Sequence, residues 1–180
     1  MINRLDFQMP TAKRKLSAKH IGEKALSVLA FTCTLGITNP ASAFVLPAGD
    51  GCAFPLQIDQ EGSQPVDRTF HDKNGNVVHL FAGKGTSNTF TNVNTGASLT
   101  IKPNGGSVSR TTTYPDTSSM TVATGFNALV LFPTDIPAGP STTLYIGRLV
   151  YTVDKSGVFT VIGSSGKQTD ICATLASMIP

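Results

Sequence analysis

Tryptophan is absent, and charged residues make up only 14% of the chain. Neither a P-loop nor a Gly-x-Gly-x-x-Gly opening a helix occurs, so there is no loop built to cradle a phosphate. A Gly-x-Ser-x-Gly nucleophile elbow is also missing. No apolar run reaches the roughly 20 residues that a membrane-spanning helix needs. Basic clusters are confined to the head of the chain. Six of the 14 Lys/Arg and two of the 11 Asp/Glu lie in residues 1–43, which leaves residues 44–180 with eight and nine, a net of −1. That remainder lacks the basic footprint of a nucleic-acid binder and the polybasic patch of a membrane-surface protein.

What the head of the chain does contain is ordered. Arg4, Lys13, Arg14, Lys15, Lys19 and Lys24 precede an apolar run from Ala25 to Ile37, and Asn39-Pro40 leads into Ala41-Ser42-Ala43. A basic region, a short apolar region and a small-x-small site form a cleavable secretory signal. Cleavage is expected after Ala43, leaving residues 44–180 as one secreted, extracellular domain with no stable membrane anchor. Of the three cysteines, Cys33 leaves with the signal. Cys52 and Cys172 remain, and in an oxidising compartment the pair is expected to form a disulfide.

The remaining residues are rich in Gly, Thr, Ser, Asn and Pro, a composition of strands and turns. Turn signals recur every 8–12 residues or so, the spacing of a sandwich or barrel, and about ten strands are predicted. The fold class is therefore all-β: an antiparallel meander forming a small barrel or a sandwich, with a short C-terminal helix. The clearest hairpin joins 66–72 to 76–82 through Asn74-Gly75. Taking those two residues as the loop places Phe70 opposite His79. Residues 126–132 and 143–153 are apolar on both faces and are expected to be covered twice, by a second layer, the terminal segments or another subunit, so a homo-oligomer is possible. Gly163-Ser164-Ser165-Gly166 reads as a turn. Thr169 or Asp170 caps a helix with Ile171, Leu175 and Met178 on one stripe.

Few residues carry candidate chemistry. Arg148 stands mid-strand in an apolar run, on the face of Leu144, Ile146 and Val150. A guanidinium there needs a partner, in the protein or in an anionic ligand. In the two-residue-loop register, Asp72 and His79 share one hairpin face and complete a pocket with Arg148, while His71 falls on the other face, so the two histidines do not share a metal. His79 is expected to be a hydrogen-bonded core residue. Asp72-Lys73-Asn74-Gly75-Asn76 lacks the spacing of a calcium loop and is explained by the turn. Asp135 lies in a proline-stiffened loop, 133–142, that is either a recognition loop or a rigid crossover.

The stretches FHDKNGNVV, LFPTDIPAGPSTTLYIGRLVYTVD and TDICATL resemble small secreted β-rich proteins of actinobacteria that carry no assigned function. This resemblance implies export and a single module, and it implies no site. A looser, fold-level likeness is to meander barrels of the allene oxide cyclase and dirigent type. The function expected is a secreted non-enzymatic binding or surface-interaction module with an unknown extracellular partner, and without cofactor or metal. The alternative is a small-ligand-binding β-barrel, with isomerase- or cyclase-like activity around Arg148.

Overall fold

A computed structural model describes residues 42–62 and 66–178. The expected targeting segment up to Ala41, with Cys33, lies outside the described residues, as does part of the turn expected at 61–65. The described chain forms ten strands and one helix. They are β1 (Ser42–Leu46), β2 (Leu56–Gly62), β3 (Val66–His71), β4 (Val77–Gly83), β5 (Thr86–Asn92), β6 (Ser98–Ile101), β7 (Ser107–Thr113), β8 (Ser119–Leu131), β9 (Ser141–Val153), β10 (Phe159–Asp170) and α1 (Ile171–Ser177). All strand pairs are antiparallel. One sheet runs β1-β2-β5-β6 and the other β10-β9-β8-β7-β4-β3. The sheets do not close into a barrel.

The two sheets share long bent ribbons. Gly62 pairs with Thr86 and Val66 with Ala82, the same register on both sides of the break. The pairing of β2 with β5 and of β3 with β4 thus keeps a single register across the two sheets. At the matching level β8, β9 and β10 bend without breaking. Gly125, Gly147 and Gly166 lie side by side in register there, with φ of 93°, 136° and 100°. The chain reads through positions where the sequence suggested ends. Segments 119–124 and 126–132 are one strand, and Gly163–Gly166 lies inside β10 rather than in a turn.

The doubly apolar strands are covered on both faces, as their composition requires. Ala128, Val130 and Leu144 pack against Leu56, Ile58 and Phe90 of the four-stranded sheet and against Ile171 and Leu175 of α1. On the opposite face Leu129, Leu131 and Tyr145, from one side of the glycine row, cluster with Ala123, Leu149 and Tyr151 from the other. The helix is capped by Asp170, whose carboxylate accepts the Ala173 N–H at 2.9 Å. In its first turn Cys172 is bonded to Cys52, with Cα atoms 5.6 Å apart.

One expectation is corrected by the turn chemistry. Asp72 and Asn76 close the β3–β4 hairpin around a three-residue loop, with Gly75 at φ 82°. The Asp72 carboxylate accepts the N–H of Asn74 at 2.8 Å and that of Asn76 at 2.9 Å. The extra loop residue shifts the register by one, so Thr69, not Phe70, faces His79. A one-residue slip moves every side chain to the other face. His71 and His79 therefore share a face, contrary to the two-residue-loop reading.

Candidate functional site

The residues singled out in the sequence do not converge. His79 is exposed rather than buried in a core, and its Nδ1 lies 3.0 Å from the Thr69 hydroxyl. It belongs to a polar row across one face of the six-stranded sheet. Next in that row Thr111 and Thr121 share a hydroxyl hydrogen bond of 2.8 Å. The row ends at Tyr151, whose phenol is pushed up to about 12 by burial, against a smaller opposing effect from its bond to Thr121. Asp72 is spent on its own turn. The Asn76 side-chain amide, ahead of the backbone N–H groups and the charge of Arg110, holds its carboxyl below the usual carboxylate range. Arg148 points to the opposite face from His79, and it is exposed rather than buried. Among the described residues no group of three or more His, Cys, Asp or Glu is placed to hold a metal ion.

Asp135 is buried, and its carboxylate accepts the Phe132 N–H at 2.7 Å and the Phe159 N–H at 3.0 Å. This clamp folds loop 133–140 back so that Ile136 pairs with Thr160 beside β10. The loop is thus a tied-back connection of the β8–β9 hairpin and not a crossover. Asp135→Ala strips two backbone donors of a charged acceptor, which costs about 2–3 kcal/mol. Urea unfolding is expected to show a lower midpoint with an unchanged slope. An unchanged midpoint would mean the loop holds itself without the carboxylate.

The surface with chemistry to offer is the face that carries Arg148. Register places Arg68, Leu80, Arg110, Val122 and Val150 in one row across β3, β4, β7, β8 and β9. The next row toward the glycine corner holds Val66, Ala82, Val108, Thr124, Arg148 and Ser165. Arg68, Arg110 and Arg148 are the three arginines beyond residue 43, all exposed and all on this face. Exposed Val66, Phe70, Val108 and Met120 stand among them. No Asp or Glu occupies a strand position on this face, although acids outnumber bases over residues 44–180. Val78 and Thr112, between Phe70 and Met120 at the hairpin end of the face, are buried.

The face ends in a cleft. Between Val161 and Gly163 the β10 register shifts, so Ile162 is an extra residue. A bulge of this kind re-aims a side chain and bends its strand. Arg148, Val150, Ile162, Gly163, Ser164 and Ser165 line an open depression of about 350 Å³.

Sequence reasoning found Arg148 because an arginine in an apolar run is conspicuous. Arg68 and Arg110 were missed. Each sits in an ordinary alternating strand, and only the register across β3, β4 and β7 puts them in line. The alternation Val66-Arg68-Phe70 was a usable signal once the hairpin loop was counted as three residues. No protein-family model, curated protein or solved structure is found to match the chain.

Proposed function

We propose that this chain is an exported, non-enzymatic binding module that docks an anionic partner on the arginine face of its six-stranded sheet. The grouping of Arg68, Arg110 and Arg148 on a face whose strand positions hold no Asp or Glu, with Asp72 at its hairpin edge near Arg110, carries the reading. Arginine with exposed aromatic and aliphatic neighbours is the composition of recognition surfaces. Arg is also the side chain suited to planar or tetrahedral oxyanions. A disulfide between the first and last parts of the domain supports an oxidising destination, and the basic-apolar-small order of residues 1–43 supports export.

Retention on a sulfonated matrix tests the face without knowledge of the partner. A domain of net −1 is expected to bind at low salt through this patch, because local charge rather than net charge sets short-range attraction. Arg68→Ala/Arg110→Ala/Arg148→Ala is expected to abolish retention. Lys73→Ala/Lys102→Ala/Lys155→Ala, with the same change in net charge, is expected to leave most of it. Equal losses in the two triple variants would remove the proposed face.

A further inference from the structure

The arginines are spaced as well as grouped. Arg68 and Arg110 both register with Leu80, so they sit two strands apart in one row. Their Cα atoms are about 10 Å apart at ordinary inter-strand spacing. Arg110 registers through Val122 with Val150, and Arg148 lies two residues further along β9. That step is about 12 Å. Both steps match the length of a disaccharide in an extended polysaccharide, and the line runs across the strands rather than along them.

We infer that the partner is an acidic polysaccharide with a carboxylate on alternate sugars, laid across the sheet from β3 to β9 with one carboxylate seated at Arg148. This rests on the docking reading above and names its ligand. Successive carboxylates meet successive arginines. Leu80 and Val122, partly buried between them, give an apolar floor for the C–H faces of the intervening sugars, and exposed Phe70 adds a ring at the β3 end.

The cleft beside Arg148 suits a ring-borne carboxylate. Ser165 registers directly opposite Arg148 and brings a hydroxyl to the same face. Ile162, 60% exposed, and Val150 supply an apolar wall. Gly163 leaves the floor open, since a Cβ there would meet nothing within 4 Å. A guanidinium fork binds a planar carboxylate through two parallel hydrogen bonds. A carboxylate attached to the ring carbon lets the sugar rest on Ile162 and Val150, whereas a sulfate ester would hold the ring away. The depression is open-sided, so a chain can pass through it rather than end in it.

The test is titration calorimetry on the disulfide-bonded protein with three probes. They are a polymer of alternating glucuronate and N-acetylglucosamine, the same polymer with its carboxyls reduced to alcohols, and dextran sulfate. Binding is expected to the first and to be lost with the second. Arg148→Ala is expected to weaken it about tenfold or more, as for loss of a charge-assisted pair. Arg148→Lys is expected to recover only part, because a point charge cannot fork. Lys155→Ala serves as the control and is expected to bind as the parent does. Binding to dextran sulfate alone would overturn the carboxylate assignment while leaving an anionic docking face. Binding that survives carboxyl reduction, or is indifferent to Arg148→Ala, would overturn the seating at Arg148. No binding to either anionic polymer would overturn both this inference and the docking reading.

Discussion

Replacing Cys52 and Cys172 together by alanine is expected to lower the unfolding free energy by about 5 kcal/mol, the chain-entropy value for a loop of this length. The two residues are 120 apart in sequence, so the bond closes nearly the whole domain. Its position in the core makes the loss larger than an exposed link would. Cys52 is fully buried beside Leu56, Ile171 and Leu175, and removing its sulfur leaves those side chains short of contacts. The segment it anchors, residues 47–55, has little pairing of its own beyond turns. It is otherwise held by the Thr142 hydroxyl, which donates to the Gly51 carbonyl at 2.9 Å, and by the Val93 N–H, which donates to the Pro55 carbonyl at 3.0 Å. Helix α1 is also too short to persist alone, since isolated helices of under about 12 residues are marginal. Chemical denaturation with and without reductant measures the effect, and the reduced parent should track the double variant. A loss below about 2 kcal/mol would show that strand pairing alone holds the two ends of the domain together.

The parts of this architecture that were legible in the sequence depend on local chemistry. Asp170 before an Ile171-Leu175-Met178 stripe signalled the helix, and two cysteines left in the segment read as exported signalled their pairing. Apolar residues on both faces of 126–132 and 143–153 signalled strands covered twice. The parts that were not legible depend on register. One extra residue in the 73–75 loop reverses the faces of β3 relative to β4, and with them the placement of His79 and the visibility of Arg68. The glycine corner was hidden for a related reason. Glycine within a run of Thr, Ser and Phe signals a turn locally. Only pairing with neighbouring strands distinguishes a turn from a kink in a strand that continues. Barrel and sandwich share one sequence pattern, and the outcome here is set by where the long strands bend.

That bend supplies the second large effect. Gly147→Ala is expected to cost more than about 4 kcal/mol, the range reserved for changes the surrounding structure cannot absorb. An added Cβ at Gly147 collides with the Ser165 carbonyl, one at Gly166 with the Ile146 carbonyl, and one at Gly125 with the Gly106 carbonyl. Each obstacle is backbone, so no side chain can swing aside, and relief requires neighbouring strands to separate. The positive φ at these positions adds strain of its own, of order 1–2 kcal/mol for a residue with a Cβ. Gly157→Ala separates the two contributions. Gly157 has φ 85° in the β9–β10 turn, yet a Cβ there meets nothing within 4 Å. Its replacement should cost only about 1 kcal/mol, the conformational part. Arg148 follows Gly147 directly, and its register partner Ser165 precedes Gly166. A partly folded Gly147→Ala protein should therefore also lose the cleft, and polysaccharide binding should fall with stability. Equal costs for the two alanine variants would mean that β9 and β10 can part at the corner, and that the row of glycines is a matter of φ rather than of close approach.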